Sequence, residues 1–250
     1  MPNTTQTTEK KTAVIRLCGF FACQIFCVVS LVYFAIVGDI PKAFMAIASV
    51  AFVCVPEIVQ RAFRFRMPIP LYFVVLLYTV CPLLGFSYKF YYRFEWWDDL
   101  LHLFAGVLFA LFGAYIPKVL NGKHKCSVVL CALFGFIFSV AIASIWEFIE
   151  YGMDSFFGTD MQKDVLLTSM RPSYLLGEIV GLPIDEMATL GANDGVLVNG
   201  VMLEGYLDVG LIDTMHDMLI ETLGALLYTI AYALGKGKYF TLTAYNPPEP

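Results

Sequence analysis

Six apolar stretches, each close to the roughly 20 residues needed to cross about 30 Å of hydrocarbon, constrain this chain more than any other feature. They run near residues 13–37, 43–59, 70–86, 100–116, 127–151 and 211–234 of 250. The chain is 59% hydrophobic and only 15% charged, too few charges to clothe a water-soluble domain. It therefore predicts an all-α fold, a polytopic transmembrane helical bundle of six spans. The first stretch is longer than a signal-peptide core and has no small-residue cleavage site ahead of a soluble domain, so it reads as an uncleaved span. The second is the least regular, because Pro56 and Glu57 interrupt it. Neither an inverted repeat nor an interrupted pair of helices of the kind carriers use is read in the pattern.

Lysine and arginine predict the orientation through their excess in cytoplasmic connections. Lys10, Lys11 and Arg16, then Arg61, Arg64 and Arg66, then Lys118, Lys123 and Lys125, and finally Lys236 and Lys238 fall on one side, eleven in all. The other side has five: Lys42, Lys89, Arg93, Lys163 and Arg171. Both termini are thus expected to be cytoplasmic. Residues 1–240 read as a single integral membrane domain, 155–210 as an external loop insertion and 241–250 as a cytoplasmic tail. The net charge of −5 reflects acids gathered at one face and bases at the other, and nothing in it suits nucleic acid.

The seven cysteines, at 18, 23, 27, 54, 81, 126 and 131, lie in or beside the spans, and none falls in an external connection. An odd set with no external member excludes a disulfide framework, and the spacings match no zinc pattern. They read as small apolar packing residues. The 155–210 segment holds eight acids and two bases, and it is too long to be a structureless connection in a compact domain. Within it, Asn199-Gly200 separates two apolar β-prone runs, Val196-Leu197-Val198 and Val201-Met202-Leu203, which predicts a β-hairpin with a type I′ turn. The stretch from Met170 to Met187, bounded within by Pro172 and Pro183, reads as a short helix lying on the bilayer.

Three of the spans carry acids and histidines at the expected external end. On the fourth the i, i+4 row is Asp98, His102, Gly106, Ala110 and Ala114, with Asp99 three residues before His102. On the fifth it is Gly135, Ser139, Ala143 and Glu147, with Glu150 one turn further out. On the sixth it is Asp213, Asp217, Glu221, Ala225 and Thr229, with His216 beside it. Each row joins ionisable to small residues, and small residues mark faces where membrane helices pack closely. Glu221, eight residues past Asp213, is expected about 12 Å deeper in the bilayer. An acid at that depth needs a partner, a proton, a cation or water.

Clustered carboxylates raise one another's pKa values unless something positive sits among them. A divalent metal would resolve the conflict, and carboxylates with imidazoles suit Mn, Fe or Zn. The candidate ligands are Asp99, His102, Glu147, Glu150, Asp213, His216, Asp217 and Glu221, supplied partly as i, i+3 pairs like those of carboxylate-bridged two-metal bundles. Structural readings stand beside these. Asp98 reads as a helix cap next to Trp96 and Trp97, Asp99 equally as cap or ligand, and Asp154 as a solvated interfacial acid. Asp213 can also cap its helix, and His102 can be an interior histidine bonded to backbone. Glu57 reads as a local ion pair with Arg61, and His124 as part of a basic loop.

Together, Asp98-Asp99-x-x-His102, Trp146-Glu147-Phe148-Ile149-Glu150, Gly158-Thr159-Asp160 and Gly210-x-x-Asp213-x-x-x-Asp217 with Gly224-Ala225 resemble the YjdF-like family of bacterial inner-membrane proteins. The likeness covers the last three spans, whereas the first three match only in hydropathy. More distantly, the arrangement is similar to VanZ-like membrane proteins. The 155–210 segment is longer than the usual YjdF-like linker, and His216 lies outside the family's pattern. The resemblance implies a multi-pass protein of the bacterial cell membrane, and it implies no reaction. Three classes of function fit these residues. One is a metal-dependent enzyme acting on a lipid or lipid-linked envelope precursor, with Glu147 as general base. The second is a proton- or cation-coupled transporter, and the third a non-catalytic protein whose polar cluster clamps the bundle. Beyond the lipid bilayer and such a substrate, the sequence specifies no partner and no oligomeric state.

Overall fold

The structure is a computed structural model that describes residues 4–121, 126–157, 161–163, 165–167, 196–198, 201–203, 206–208, 210–237 and 242–244. The Met170–Met187 stretch, the Asn199-Gly200 turn, Gly158-Thr159-Asp160 and His124 lie outside the described residues. Among the described residues, six helical segments are long and apolar enough to cross a membrane: Lys11–Val37, Ile40–Ala62, Ile69–Ser87, Trp97–Leu120, Val128–Phe156 and Leu211–Leu234. The chain forms two compact units, residues 1–141 with 220–250, and residues 142–219.

The first unit opens with α1 (Thr4–Val37). Gly38, at φ +80°, turns the chain, and Asp39 caps α2 (Ile40–Phe52) by accepting a hydrogen bond from the Lys42 amide at 3.3 Å. The Lys42 ammonium pairs with the same carboxylate, and these bonds hold the Asp39 carboxyl below the ordinary carboxylate range. The cap's contribution is therefore complete above that range and is lost as pH falls through the lowered value.

The second and third spans are each interrupted, the second at the Pro56 irregularity that the sequence predicts and the third at a break that it does not. The second consists of α2 and α3 (Val55–Ala62), with Pro56 in the first turn of α3. The third consists of α4 (Ile69–Tyr78) and α5 (Cys81–Ser87), with Pro82 placed likewise. Proline lacks an amide hydrogen and its ring collides with the preceding turn, so the α ladder slips at both places. The Cys54 amide bonds to Ala51 and the Val80 amide to Leu77, which strips the Val50 and Leu76 carbonyls of their usual donors. Gln24 of α1 fills the first gap through Nε2, 3.0 Å from the Val50 oxygen. Thr79 fills the second with its own hydroxyl, 2.6 Å from the Leu76 oxygen. The two breaks lie about 13 to 16 Å from the shared 62–69 end of the two spans, counted at 1.5 Å per residue, and so at one depth.

A short α6 (Phe90–Arg93) leads to α7 (Trp97–Leu120), α8 (Val128–Phe157) and α9 (Leu211–Leu234). The small-residue rows pack as their spacing requires. A Cβ on Gly135 would stand 2.5 Å from the Ala110 carbonyl oxygen, and one on Gly113 would stand 2.7 Å from the Phe138 Cβ. Strand β1 (Phe65–Arg66), after α3, pairs antiparallel with β6 (Thr243–Ala244) beyond α9. All seven cysteines are free thiols.

In the second unit, β2 (Val165–Leu167) pairs antiparallel with β5 (Tyr206–Asp208), and Leu166 lies opposite Leu207. Between them in sequence, β3 (Val196–Val198) pairs antiparallel with β4 (Val201–Leu203), and Val198 lies opposite Val201.

Replacing Gln24 by Leu keeps the volume but removes the amide donor of the Val50 carbonyl and leaves it only the weak Cys54 thiol, 3.5 Å away. Thermal unfolding in detergent is expected to show a loss of about 1 kcal/mol, the net contribution of one hydrogen bond. An unchanged transition would mean that the break is satisfied without Gln24.

Candidate functional site: two buried carboxylate clusters

In the first unit, α7 and α9 meet backbone to backbone. A Cβ at Gly106 would overlap the Glu221 carbonyl oxygen, and a Cβ at Gly224 would overlap the Leu103 carbonyl oxygen. From α8, Ser139 donates to the Gly106 carbonyl at 3.1 Å. Such proximity, open only to glycine, brings side chains one turn away into register. His102, one turn before Gly106, has Nδ1 3.8 Å from Glu221 Oε2 and Nε2 3.7 Å from Asp98 Oδ1. His102 is 7% exposed and Glu221 3%, so this is a carboxylate–imidazole–carboxylate row with two buried members. The second oxygen of Glu221, Oε1, is buried with no hydrogen-bond partner among the described residues.

Asp98 is not the helix cap. That position belongs to Trp96, and Asp98 and Asp99 stand in the first turn of α7, where a negative charge complements the helix dipole. Asp99 is half-buried.

In the second unit, Glu147, Glu150 and Asp217 are all buried, and each offers an oxygen within 4.8 Å of those of the other two. The i, i+3 spacing on α8 presents the two glutamates together, and Trp146 fixes Glu150 by donating from Nε1 to Oε1 at 2.7 Å. Two ionised carboxylates at this separation repel by about 3.5 kcal/mol at an effective dielectric constant of about 20. Three such pairs come to about 10 kcal/mol, comparable to the total stability of a typical domain, so protons or a cation are needed to offset them. Three oxygen donors at this spacing can hold a metal ion.

The remaining predicted ligands have other surroundings. His216 is more than half exposed, with Nδ1 3.9 Å from Asp217 Oδ1. Asp213 is engaged by Lys163, whose amide donates to Oδ2 at 3.1 Å and whose ammonium lies 3.5 Å from Oδ1. Beside it Gln162 Nε2 donates to Thr214 Oγ1 at 2.6 Å. Asp154, expected to be solvated, accepts from the Met161 and Gln162 amides at 2.8 and 2.7 Å and so anchors the chain leaving α8. Sequence reasoning counted Lys163 only as a loop base, because its partner is 50 residues away and no local spacing announces the pair.

Leaving one member of a buried polar pair without its partner costs about 1–3 kcal/mol, whereas replacing both members by apolar groups is close to neutral. His102→Leu is thus expected to destabilise the protein by about 2 kcal/mol, and adding Glu221→Leu should restore most of that loss. Thermal unfolding of wild type, both single variants and the double variant checks it; strictly additive losses would show that the two groups do not interact.

No curated protein and no solved structure matches the chain. One family model, described as a predicted membrane protein, DUF2238, matches residues 20–237. That match takes in all three polar helices and nearly the whole of the six spans, and the chain belongs to this family of membrane proteins.

Proposed function

We propose that Glu147, Glu150 and Asp217 hold a divalent cation and that the protein is a metal-dependent membrane enzyme acting on a lipid or lipid-linked envelope precursor. The observation carrying this reading is the approach of three buried carboxylates to within 4.8 Å of one another. All-oxygen donors favour Mg, Ca or Mn, so of the three metals suggested by sequence, Mn fits this set best. Glu147 is the candidate general base, and His216, Asp213 and Asp99 are outer candidates for the same chemistry. A cation there would polarise a phosphoryl or carbonyl oxygen and lower the pKa of a bound water. Glu147 stands ten residues before the end of α8, and Asp217 six after the start of α9. At 1.5 Å per residue those positions lie about 15 and 9 Å from the helix ends, in keeping with a headgroup substrate.

The same reading places both termini in the cytoplasm of a bacterial cell, 155–210 outside as an insertion in a single membrane domain spanning 1–240, and 241–250 as a cytoplasmic tail. The distribution of lysine and arginine supports it. The Asp99-x-x-His102, Glu147-x-x-Glu150 and Asp213-x-x-x-Asp217 motifs support the YjdF-like assignment within the family, with a more distant VanZ-like relationship.

Protein purified without chelator is expected to retain about one divalent metal per chain by elemental analysis, and Glu147→Ala with Asp217→Ala should lose it. Metal-free wild type whose unfolding is unaffected by chelator would overturn the site.

A second reading, a proton- or cation-coupled carrier, is favoured by one observation: two interrupted spans broken at the same depth, a feature of carriers. Glu221 and His102 would then carry the proton. In reconstituted vesicles this reading expects pH-driven cation uptake that Glu221→Gln abolishes; equal uptake by wild type and variant would exclude it.

A further inference from the structure

Beside the 62–69 connection between the second and third spans, wholly within the first unit, a half-enclosed cavity of about 700 Å³ gathers Arg16, Arg61, Arg64 and Arg66 around a single acid, Glu57. Glu57 and Arg61, expected as a local ion pair, both line this cavity. Arg16 is the built element. It is 8% exposed, donates from Nη1 to Gln60 Oε1 at 3.1 Å and from Nη2 to the Met67 carbonyl, and lies 4.8 Å from the Tyr72 ring centre. Gln60 is itself oriented, accepting the Met67 amide at 2.8 Å and donating to the Pro56 carbonyl at 3.2 Å. Every hydrogen-bond partner of Arg16 is therefore neutral, and its Nε is buried without one among the described residues. A guanidinium fixed by neutral groups is a preorganised anion receptor, because its charge is positioned but not neutralised at contact range.

Two further features define the anion. Arg64 adopts φ +52°, a left-handed conformation that is unfavourable for a residue with a Cβ, and it lines the same cavity. Leu17 and Ile58, on the cavity wall, are 55% and 61% exposed, and they belong to α1 and α3, within the membrane spans. A soluble anion would gain nothing from them, whereas an acyl chain would cover them. Arg16 is five residues into the first span and Arg61 is one residue from the end of the second, which is headgroup depth. We propose that this cavity binds the phosphate headgroup of an anionic phospholipid, whose acyl chains run over Leu17 and Ile58. The site is independent of the carboxylate clusters and of any reaction assigned to them.

Native mass spectrometry of the delipidated full chain, titrated with phosphatidylglycerol or with phosphatidylcholine of the same acyl length, tests this. Wild type is expected to retain phosphatidylglycerol roughly tenfold more strongly, and Arg61→Gln with Arg64→Gln to abolish most of that preference. Equal retention of the two lipids by wild type would overturn the proposal without reliance on any variant. So would undiminished retention by a folded double variant. Displacement of phosphatidylglycerol by millimolar inorganic phosphate would reassign the cavity to a free anion and overturn the lipid.

Discussion

In an apolar medium every backbone donor and acceptor must find its partner within the protein, and this structure is arranged around that demand. Helices without an interior proline meet it locally, as α1, α8 and α9 do. Where Pro56 and Pro82 break the ladder, side chains complete it: Gln24 from another helix and Thr79 from the same turn. A glutamine in the middle of an apolar helix otherwise resembles a polar accident. Its position is explained once the stranded Val50 carbonyl lies 3.0 Å away.

The same economy of space governs the polar helices. Helices in lipid gain no hydrophobic force from meeting each other, so they associate where backbones can approach and dispersion contacts multiply. Gly106 and Gly224 permit that approach between α7 and α9. The close contact then sets the separation of His102 and Glu221, 3.8 Å, as a consequence of glycine positions one turn away. Packing and site are thus one arrangement: the residues with no side chain determine where the charged ones meet.

The two units hold different solutions to buried charge. In the second, three buried carboxylates lie close together and call for something positive. In the first, four arginines line a cavity with one glutamate, and the buried guanidinium is held by an amide, a carbonyl and an aromatic ring. Both arrangements retain charge in a setting where it is costly, which is the behaviour expected of ligand sites.

Hydropathy alone determined the six spans and their approximate limits, because span length follows from bilayer thickness and needs no knowledge of neighbours. The i, i+4 rows likewise made the small-residue faces legible, since helix geometry fixes which residues share a face. Glu147 and Glu150 were legible as a pair for the same reason. What only the tertiary structure decided involves residues distant in sequence. Asp213 faces Lys163, Asp154 anchors the chain beyond α8, and Glu57 and Arg61 line a cavity with Arg16. The interrupted third span was also missed, because a proline in an apolar run shows where a ladder can slip but not whether a donor is present to make the break tolerable. Local periodicity is a property of one helix, whereas charge compensation depends on which other segment arrives beside it, and that is settled only when the chain packs.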